Sequence, residues 1–306
     1  MGMSWSRART IVGEVGLRLA LVSVLWVNAT SCAVLSGKSS AVSDQQGRPL
    51  EHLGPGTGDF VTAHPALLRG LSRDVEVRPV LTSGDSIGDF QFAGTPDGMG
   101  LFENPDHTFS LLVNHEWLAG RHLSNALVSR LRIDPRTLHV LAGDYLLNGS
   151  EGFQRLCSAT AVGHKEGFDP PLFLTNEEST GGRHGGVVAA IEPKTGAVTT
   201  LPHLGHFKHE NTTAIPYRGK VVLLSGEDDW PGGLYLFVAT SRADTLAGKG
   251  QLYVLRVRDR AGKQLANEAA AEKGKPLPGT FMPVTTADNV DAKSLIAAAK
   301  RQFAFQ

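Results

Sequence analysis

The segment HENTTAIPYRGKVVLLSGEDDW (residues 209–230) indicates the fold class, because it places two short apolar runs on either side of a turn. TTAIPY and KVVLLSG have the length and residue types of strands, and Tyr217-Arg218-Gly219 between them is a turn signal. We therefore predict a β-hairpin. Glu210 precedes its first arm, and Asp228 and Asp229 follow its second. Since antiparallel strands run in opposite directions, these acidic ends meet at one edge of the sheet.

Similar runs, separated by turn signals, extend from about residue 76 to residue 256. In chain order they are VEVRPVL, FSLLVN, VSRLRI, LHVLAG, PLFLTN, GVVAAIE, AVTTL, TTAIPY, KVVLLSG, LYLFVA and LYVLRV. Such a series of short strands is typical of all-β sandwiches, barrels and propellers. A propeller blade has four strands, so the series corresponds to roughly three blades, fewer than closed propellers usually have.

The remainder of the chain divides by composition. Residues 32–75 are polar with glycine and proline and predict a linker, and residues 76–258 hold the strand-like runs. Residues 259–306 begin as a polar loop and end in DAKSLIAAAKRQFAF (291–305), which predicts a short C-terminal helix capped by Asp291. From pattern alone the predicted class is thus all-β with one C-terminal helix, and the choice among sandwich, barrel and propeller stays open.

The N-terminus has the pattern of a secretion signal over residues 1–31. Arg7, Arg9 and Arg18 precede the apolar run LALVSVLWV (19–27), and small residues follow it. The apolar run is too short to span a bilayer, so no transmembrane span is expected after cleavage. Cys32 stands where a bacterial lipoprotein carries its lipid, although Ala29 replaces the usual leucine. A periplasmic or extracellular location follows, with a lipid anchor at Cys32 left open.

Charge and motif content narrow the class of partner. The chain has 30 basic and 30 acidic residues, which gives no reason to expect nucleic acid or an anionic membrane as a partner. It has no complete G-x-x-x-x-G-K-S/T phosphate loop and no zinc-finger spacing. We expect a monomer.

Acidic residues adjoin further strand-like runs besides the opening hairpin. FSLLVN runs into His115-Glu116, and PLFLTN runs into Glu177-Glu178. Carboxylates gathered at one sheet edge raise each other's pKa unless a cation neutralises them, and calcium prefers several such oxygen ligands. The alternative is that these residues only mark solvated loops.

His115, His206 and His209 nearby are more typical of hydrogen-bonded structural residues than of ligands. GTPDGMGLF (94–102) has the Pro-Asp-Gly of a tight turn, and spacing alone cannot show whether its Asp97 faces the same cluster.

Cysteine usage raises a separate question about Cys157. The chain has two cysteines, and a lipidated or flexible Cys32 would leave Cys157 without a disulfide partner. A free thiol in an oxidising compartment is either buried and inert, which is the commoner outcome, or bound to something. Both interpretations stay open from the residues alone.

These same segments resemble the PhoX-type alkaline phosphatases and the secreted relatives that share their domain. The resemblance covers about residues 75–257 and corresponds to the first half of family members. It rests on the order of GTPDGMGLFENPDHTFSLLVNHEW, RLCSATAV with PLFLTNEES, LGHFKHENTTAI, and LLSGEDDWPGGLYLFVA followed by GQLYVLRV. Family members are much longer and carry an Arg-Arg export signal, which is absent here.

The resemblance implies an all-β, propeller-like fold, incomplete at about three blades, with a central cluster of calcium and iron. It also implies that the protein hydrolyses phosphomonoesters. It implies that carboxylates at inner strand ends bind the metals and that a cysteine ligates iron. Carried over by position, the first candidate ligands are Glu116, Glu178, Glu210 and Asp229, and further candidates are Glu177, Asp228 and Cys157. The expected function is a secreted, metal-dependent alkaline phosphatase. The alternative is a non-catalytic calcium-binding propeller of the cell envelope.

Overall fold

The computed structural model describes residues 60–65, 67–116, 125–230, 232–265, 270–271 and 274–284. They belong to the compact unit of residues 41–306. The secretion signal, most of the linker and the C-terminal helix expected over residues 291–305 lie outside the described residues. Among those that are described, no helix is long and apolar enough to cross a bilayer.

The described fold is all-β, as the sequence predicted, and consists of four antiparallel sheets. The first is a small hairpin of β1 (Ser86–Ile87) and β2 (Phe90–Gln91). The other three are up-and-down meanders in which the strands follow one another in chain order. Sheet A contains β3 (Pro96–Glu103), β4 (Phe109–His115), β5 (Leu127–Ile133) and β6 (Val140–Leu147). Sheet B contains β7 (Leu156–Val162), β8 (Leu172–Glu177), β9 (Val188–Ile191) and β10 (Val198–Leu201).

Sheet C contains β11 (His209–Ala214), β12 (Val221–Glu227), β13 (Leu234–Ala239), β14 (Gly250–Val257) and β15 (Gly279–Pro283). A five-residue helix, α1 (Arg242–Leu246), connects β13 to β14. Strand β15 lies beyond the polar stretch after residue 258, where the sequence indicated no strand. The first strands of sheets A and C both contact β7, the first strand of sheet B. This is the arrangement of three neighbouring propeller blades with their first strands innermost.

The hairpin predicted over residues 212–226 is confirmed. Strands β11 and β12 pair antiparallel, and an isolated bridge joins Tyr217 to Lys220. Arg218 (φ 48°) and Gly219 (φ 71°) are both left-handed, which is the backbone that a two-residue hairpin turn requires.

Two predictions from local pattern were wrong. VEVRPVL forms no strand, although Val80 and Leu81 pack against the core of sheet A. GTPDGMGLF reads as a turn but contains the start of β3. A Cβ on Gly98 would lie 2.2 Å from the backbone nitrogen of Ala159, so glycine here permits close contact between β3 and β7.

Apolar side chains fill the spaces between the sheets. Leu112, Leu156 and Phe173 belong to the core shared by sheets A and B. Leu174, Leu223 and Phe237 belong to the larger core shared by sheets B and C. Each sheet is therefore held against its neighbour by burial of apolar surface, which fixes the relative positions of the innermost strands.

Candidate metal centre

Each of the three large sheets supplies two ligand-type side chains at equivalent positions. One is the second residue of the first strand, and the other directly follows the second strand. In sheets A, B and C the pairs are Asp97 with Glu116, Cys157 with Glu178, and Glu210 with Asp228. Asn114-His115-Glu116 and Asn176-Glu177-Glu178 share an Asn-x-Glu pattern that sheet C lacks, so the full equivalence of the three sheets is visible only in the fold.

The same hydrogen bond supports each pair. The backbone N–H of the second side chain donates to the carbonyl two residues before the first. These bonds are Glu116 N to Thr95 O at 3.0 Å, Glu178 N to Arg155 O at 2.9 Å, and Asp228 N to Lys208 O at 2.9 Å. In each sheet the strand pairing also shifts register just beyond its first pair, at Pro96, Leu156 and His209. Such bulges redirect side chains at a strand end.

Five of the six side chains form two groups that could each hold a metal ion. Ligand atoms of Asp97, Glu116 and Cys157 lie within 4.8 Å of one another, and so do those of Cys157, Glu178 and Glu210. Cys157 belongs to both groups. Its Sγ lies 3.5 Å from Asp97 Oδ2 and 3.5 Å from Glu210 Oε2.

The electrostatics of these groups favour a cation. Burial and the neighbouring Glu116 raise the pKa of Asp97 to about 7. Burial and the adjacent Asp228 carboxyl raise the pKa of Glu178 to about 8. Burial and the surrounding carboxylates also raise the pKa of the Cys157 thiol well above its ordinary value. A bound cation would relieve this repulsion and favour the ionised forms.

Glu178 gives a direct test of whether the site fits a metal. Its side chain is 1% exposed, and neither carboxylate oxygen has a hydrogen-bond partner among the described residues. Oε1 does lie 2.8 Å from Arg155 Nη1, but without the geometry of a hydrogen bond. Buried carboxylate oxygens normally accept hydrogen bonds or coordinate metals. The carboxylate oxygens suit a hard divalent cation, and the thiolate suits a softer transition-metal ion.

Two of the sequence-predicted ligands have other contacts. Glu177 is fully buried and accepts hydrogen bonds from the backbone N–H groups of Gln154 and Gly186. Asp229 lies 3.4 Å from Lys208 Nζ, and its Oδ1 accepts from the N–H of Trp230. Both lie next to a member of the cluster, but neither belongs to the two groups of converging ligand atoms.

The neighbouring histidines have structural surroundings. His115 Nε2 lies 2.8 Å from Ser129 Oγ, and burial lowers the pKa of its ring to about 4. His209 stacks on Phe207 at a ring distance of 3.6 Å, and burial lowers its pKa to about 3. Both rings are therefore neutral at pH 7.

Arg155 is a polar residue that sequence reasoning missed. Its Nε lies 3.0 Å from Glu116 Oε2, so the guanidinium bridges the sheet A carboxylate and Glu178 of sheet B. The side chain remains 41% exposed. Its position just before β7, two residues from Cys157, was the available signal. Asp97 was considered as a further member from sequence, but spacing alone could not place it.

A separate cavity of about 740 Å³ lies between sheets A and B at the other end of β3. Its lining includes Phe102, Glu103, Arg130 and Pro170, and it contains none of the six paired side chains. Arg130 is engaged there with Asp144 and with backbone carbonyls. The carboxylate–thiol cluster is therefore the stronger candidate for chemistry.

Three propeller-like sheets around a carboxylate–thiol cluster define an all-β protein with a candidate metal centre. The family model for alkaline phosphatase PhoX matches residues 146–303, slightly more than half of the chain. The chain belongs to this family, and its activity is that of a phosphomonoester hydrolase. No curated protein matches the sequence. The matched range includes the ligand pairs of sheets B and C, and sheet A repeats their geometry outside it.

Proposed function

We propose that the cluster is the metal centre of a secreted phosphomonoesterase that uses calcium and iron. The observation that carries this proposal is the repeated placement of one ligand pair by each of three sheets. Glu116, Glu178, Glu210, Asp97 and Asp228 supply oxygen ligands of the kind calcium prefers. Cys157 supplies the single soft ligand, which suits iron.

Bound metal ions would supply positive charge that offsets the charge developing on the phosphoryl group. The protein residues would hold these ions and orient the substrate. Arg155 is the residue available to bind a phosphoryl oxygen, because its guanidinium has five N–H donors and is partly exposed beside the cluster. Glu116 and Glu178 hold the guanidinium in place. This arrangement favours an anionic monoester bound between Arg155 and the metal ligands.

Two single substitutions on the same strand, one in the cluster and one outside it, test the metal centre. Asp97 and Glu103 lie at opposite ends of β3, and only Asp97 belongs to the cluster. We expect Asp97→Asn to reduce bound metal and aryl phosphate hydrolysis by at least about tenfold, while Glu103→Gln leaves both unchanged. Absence of hydrolysis by wild-type protein with full calcium and iron occupancy would contradict the enzymatic proposal. Calcium-dependent stabilisation without turnover would instead support the non-catalytic alternative.

Arg155 has its own test in steady-state kinetics. Arg155→Lys keeps a positive charge but loses the planar set of donors, so kcat/KM for a phosphomonoester should fall with metal content retained. Arg155→Gln should reduce it further. Unchanged kinetics in both variants would exclude Arg155 from phosphate binding.

We propose export to the periplasm or the exterior on the strength of the N-terminal pattern. Fractionation of cells that express the full chain tests this, since cleavage before Cys32 predicts a mature protein shortened by the signal. Cys32→Ser distinguishes an exported protein with a lipid anchor at Cys32 from one without it. Loss of membrane association in that variant would indicate a lipid anchor, and no change would indicate a soluble exported protein.

A further inference from the structure

The loop between β12 and β13 presents an exposed aromatic side chain next to the candidate metal centre. Trp230 is 71% exposed. It follows Asp228 by two residues, and two residues of chain span at most about 7 Å. Asp228 in turn adjoins the Glu178 carboxyl. The exposed indole is therefore attached to backbone that lies within about 7 Å of Asp228, at the end of sheet C that carries the cluster.

This loop is held in place by specific contacts. Asp229 binds both Lys208 and the Trp230 N–H, as described above. Glu227 Oε2 accepts hydrogen bonds from Gly233 N at 2.9 Å and from the Tyr235 hydroxyl at 3.2 Å. A Cβ on Gly232 would lie 2.7 Å from the carbonyl oxygens of Glu227 and Asp229, so the loop folds tightly back on itself. The backbone on both sides of Trp230 is thus positioned chiefly by the hydrogen bonds to Glu227 Oε2.

We propose that Trp230 binds the leaving group of the substrate and gives the site a preference for monoesters with a flat aromatic or nucleobase group. This inference rests on the proposed phosphatase function. The phosphate would lie at the cluster and Arg155, and the ring system would stack on the indole. A flat aromatic surface at a fixed position lowers the entropy cost of such binding, and base–aromatic stacking contributes measurably to affinity.

The test compares two substrates whose leaving groups are both alkyl alcohols, a nucleoside 5′-monophosphate and glycerol 1-phosphate. We expect wild-type protein to have the higher kcat/KM for the nucleotide, and Trp230→Ala to reduce the ratio of the two values roughly fivefold or more, mainly through KM. Trp230→Phe keeps a flat ring and should restore part of the ratio. Tyr217→Ala is the matched control, because Tyr217 is 52% exposed on the turn at the other end of the β11–β12 hairpin.

Binding measurements separate this inference from the proposed function. Calorimetric titration of the full-length, metal-loaded protein should show tighter binding of the nucleotide than of glycerol 1-phosphate, with the difference reduced in Trp230→Ala. If the wild type hydrolyses neither ester but this difference is present, the phosphatase proposal fails and the stacking role stands. If hydrolysis occurs and the ratio is the same in wild type and Trp230→Ala, the stacking role is overturned.

Discussion

Cys157 Sγ and Glu210 Oε2 lie 3.5 Å apart, although 53 positions separate the two residues in the chain. They come together because β7 and β11 are the adjacent first strands of sheets B and C. Asp97 Oδ2 on β3 also lies 3.5 Å from the same sulfur. One thiol therefore occupies the point where all three sheets meet.

The position of Cys157 predicts a spectroscopic signature. The iron-loaded protein should show a thiolate-to-iron charge-transfer band, and Cys157→Ser should abolish it and reduce bound iron while calcium content changes less. Cys32→Ser is the control, since Cys32 is the only other cysteine in the chain. If Cys157→Ser changes thermal stability alone, Cys157 is an inert core thiol.

Close contact between β3 and β7 predicts a strong effect of a single methyl group. A Cβ on Gly98 would lie 2.2 Å from Ala159 N and 2.7 Å from Cys157 O, and both are backbone atoms that cannot rotate away. Gly98→Ala should lower the free energy of unfolding by at least about 2 kcal/mol and separate Asp97 from Cys157. Denaturant unfolding and metal analysis measure the two effects.

Gly163 provides the matched control for this substitution. A Cβ added to Gly163 would have no heavy atom of the described residues within 4 Å, and the backbone there is extended at φ −142°. Gly163→Ala should therefore change the free energy of unfolding by no more than about 0.5 kcal/mol. Equal effects from the two variants would mean that β3 and β7 are not in close contact.

The sequence indicated much of this architecture, because apolar alternation and turn residues are local signals. The β11–β12 hairpin is one example. Asp97 could not be placed from sequence. Gly98 beside it allows β3 to lie close to β7, and local sequence pattern does not reveal which strand is the neighbour. Adjacent residues at a strand end face opposite ways. That rule could have separated Glu178, which faces the cluster, from Glu177, which is bound by backbone N–H groups.

A buried histidine predicts how stability depends on pH. Burial lowers the pKa of His203 below its ordinary 6.5, and its Nε2 has no hydrogen-bond partner in the part of the chain that the structure describes. The unfolded chain therefore binds a proton more readily than the folded protein does. The stability contributed by neutral His203 is present above pH 6.5 and is lost as the pH falls below that value.

Replacing His203 with leucine removes this titration. Wild-type protein should lose more free energy of unfolding between pH 7 and pH 5 than His203→Leu does, with denaturant unfolding at each pH as the measurement. Subtracting the two curves isolates His203 from the other histidines. Parallel curves would show that His203 has the same pKa in the folded and unfolded states.

The final prediction concerns which acidic residue after β12 binds calcium. Both Asp228 and Asp229 are candidates from sequence. Asp228 occupies the sheet C position equivalent to Glu116 and Glu178, and its carboxyl adjoins Glu178. The Asp229 carboxylate is 46% exposed and pairs with Lys208. An exposed ion pair of this kind contributes little to stability.

Asp228→Asn should therefore weaken calcium binding by at least about tenfold, because it removes one negative charge from the cluster while it keeps the side-chain shape. Asp229→Asn should weaken it less, mainly by releasing the loop from Lys208. Lys220→Ala, at the distal turn of the same hairpin, should leave calcium affinity unchanged. Calcium titration followed by calorimetry gives the three values. A larger effect of Asp229→Asn than of Asp228→Asn would assign the sheet C ligand to Asp229 and break the equivalence of the three sheets.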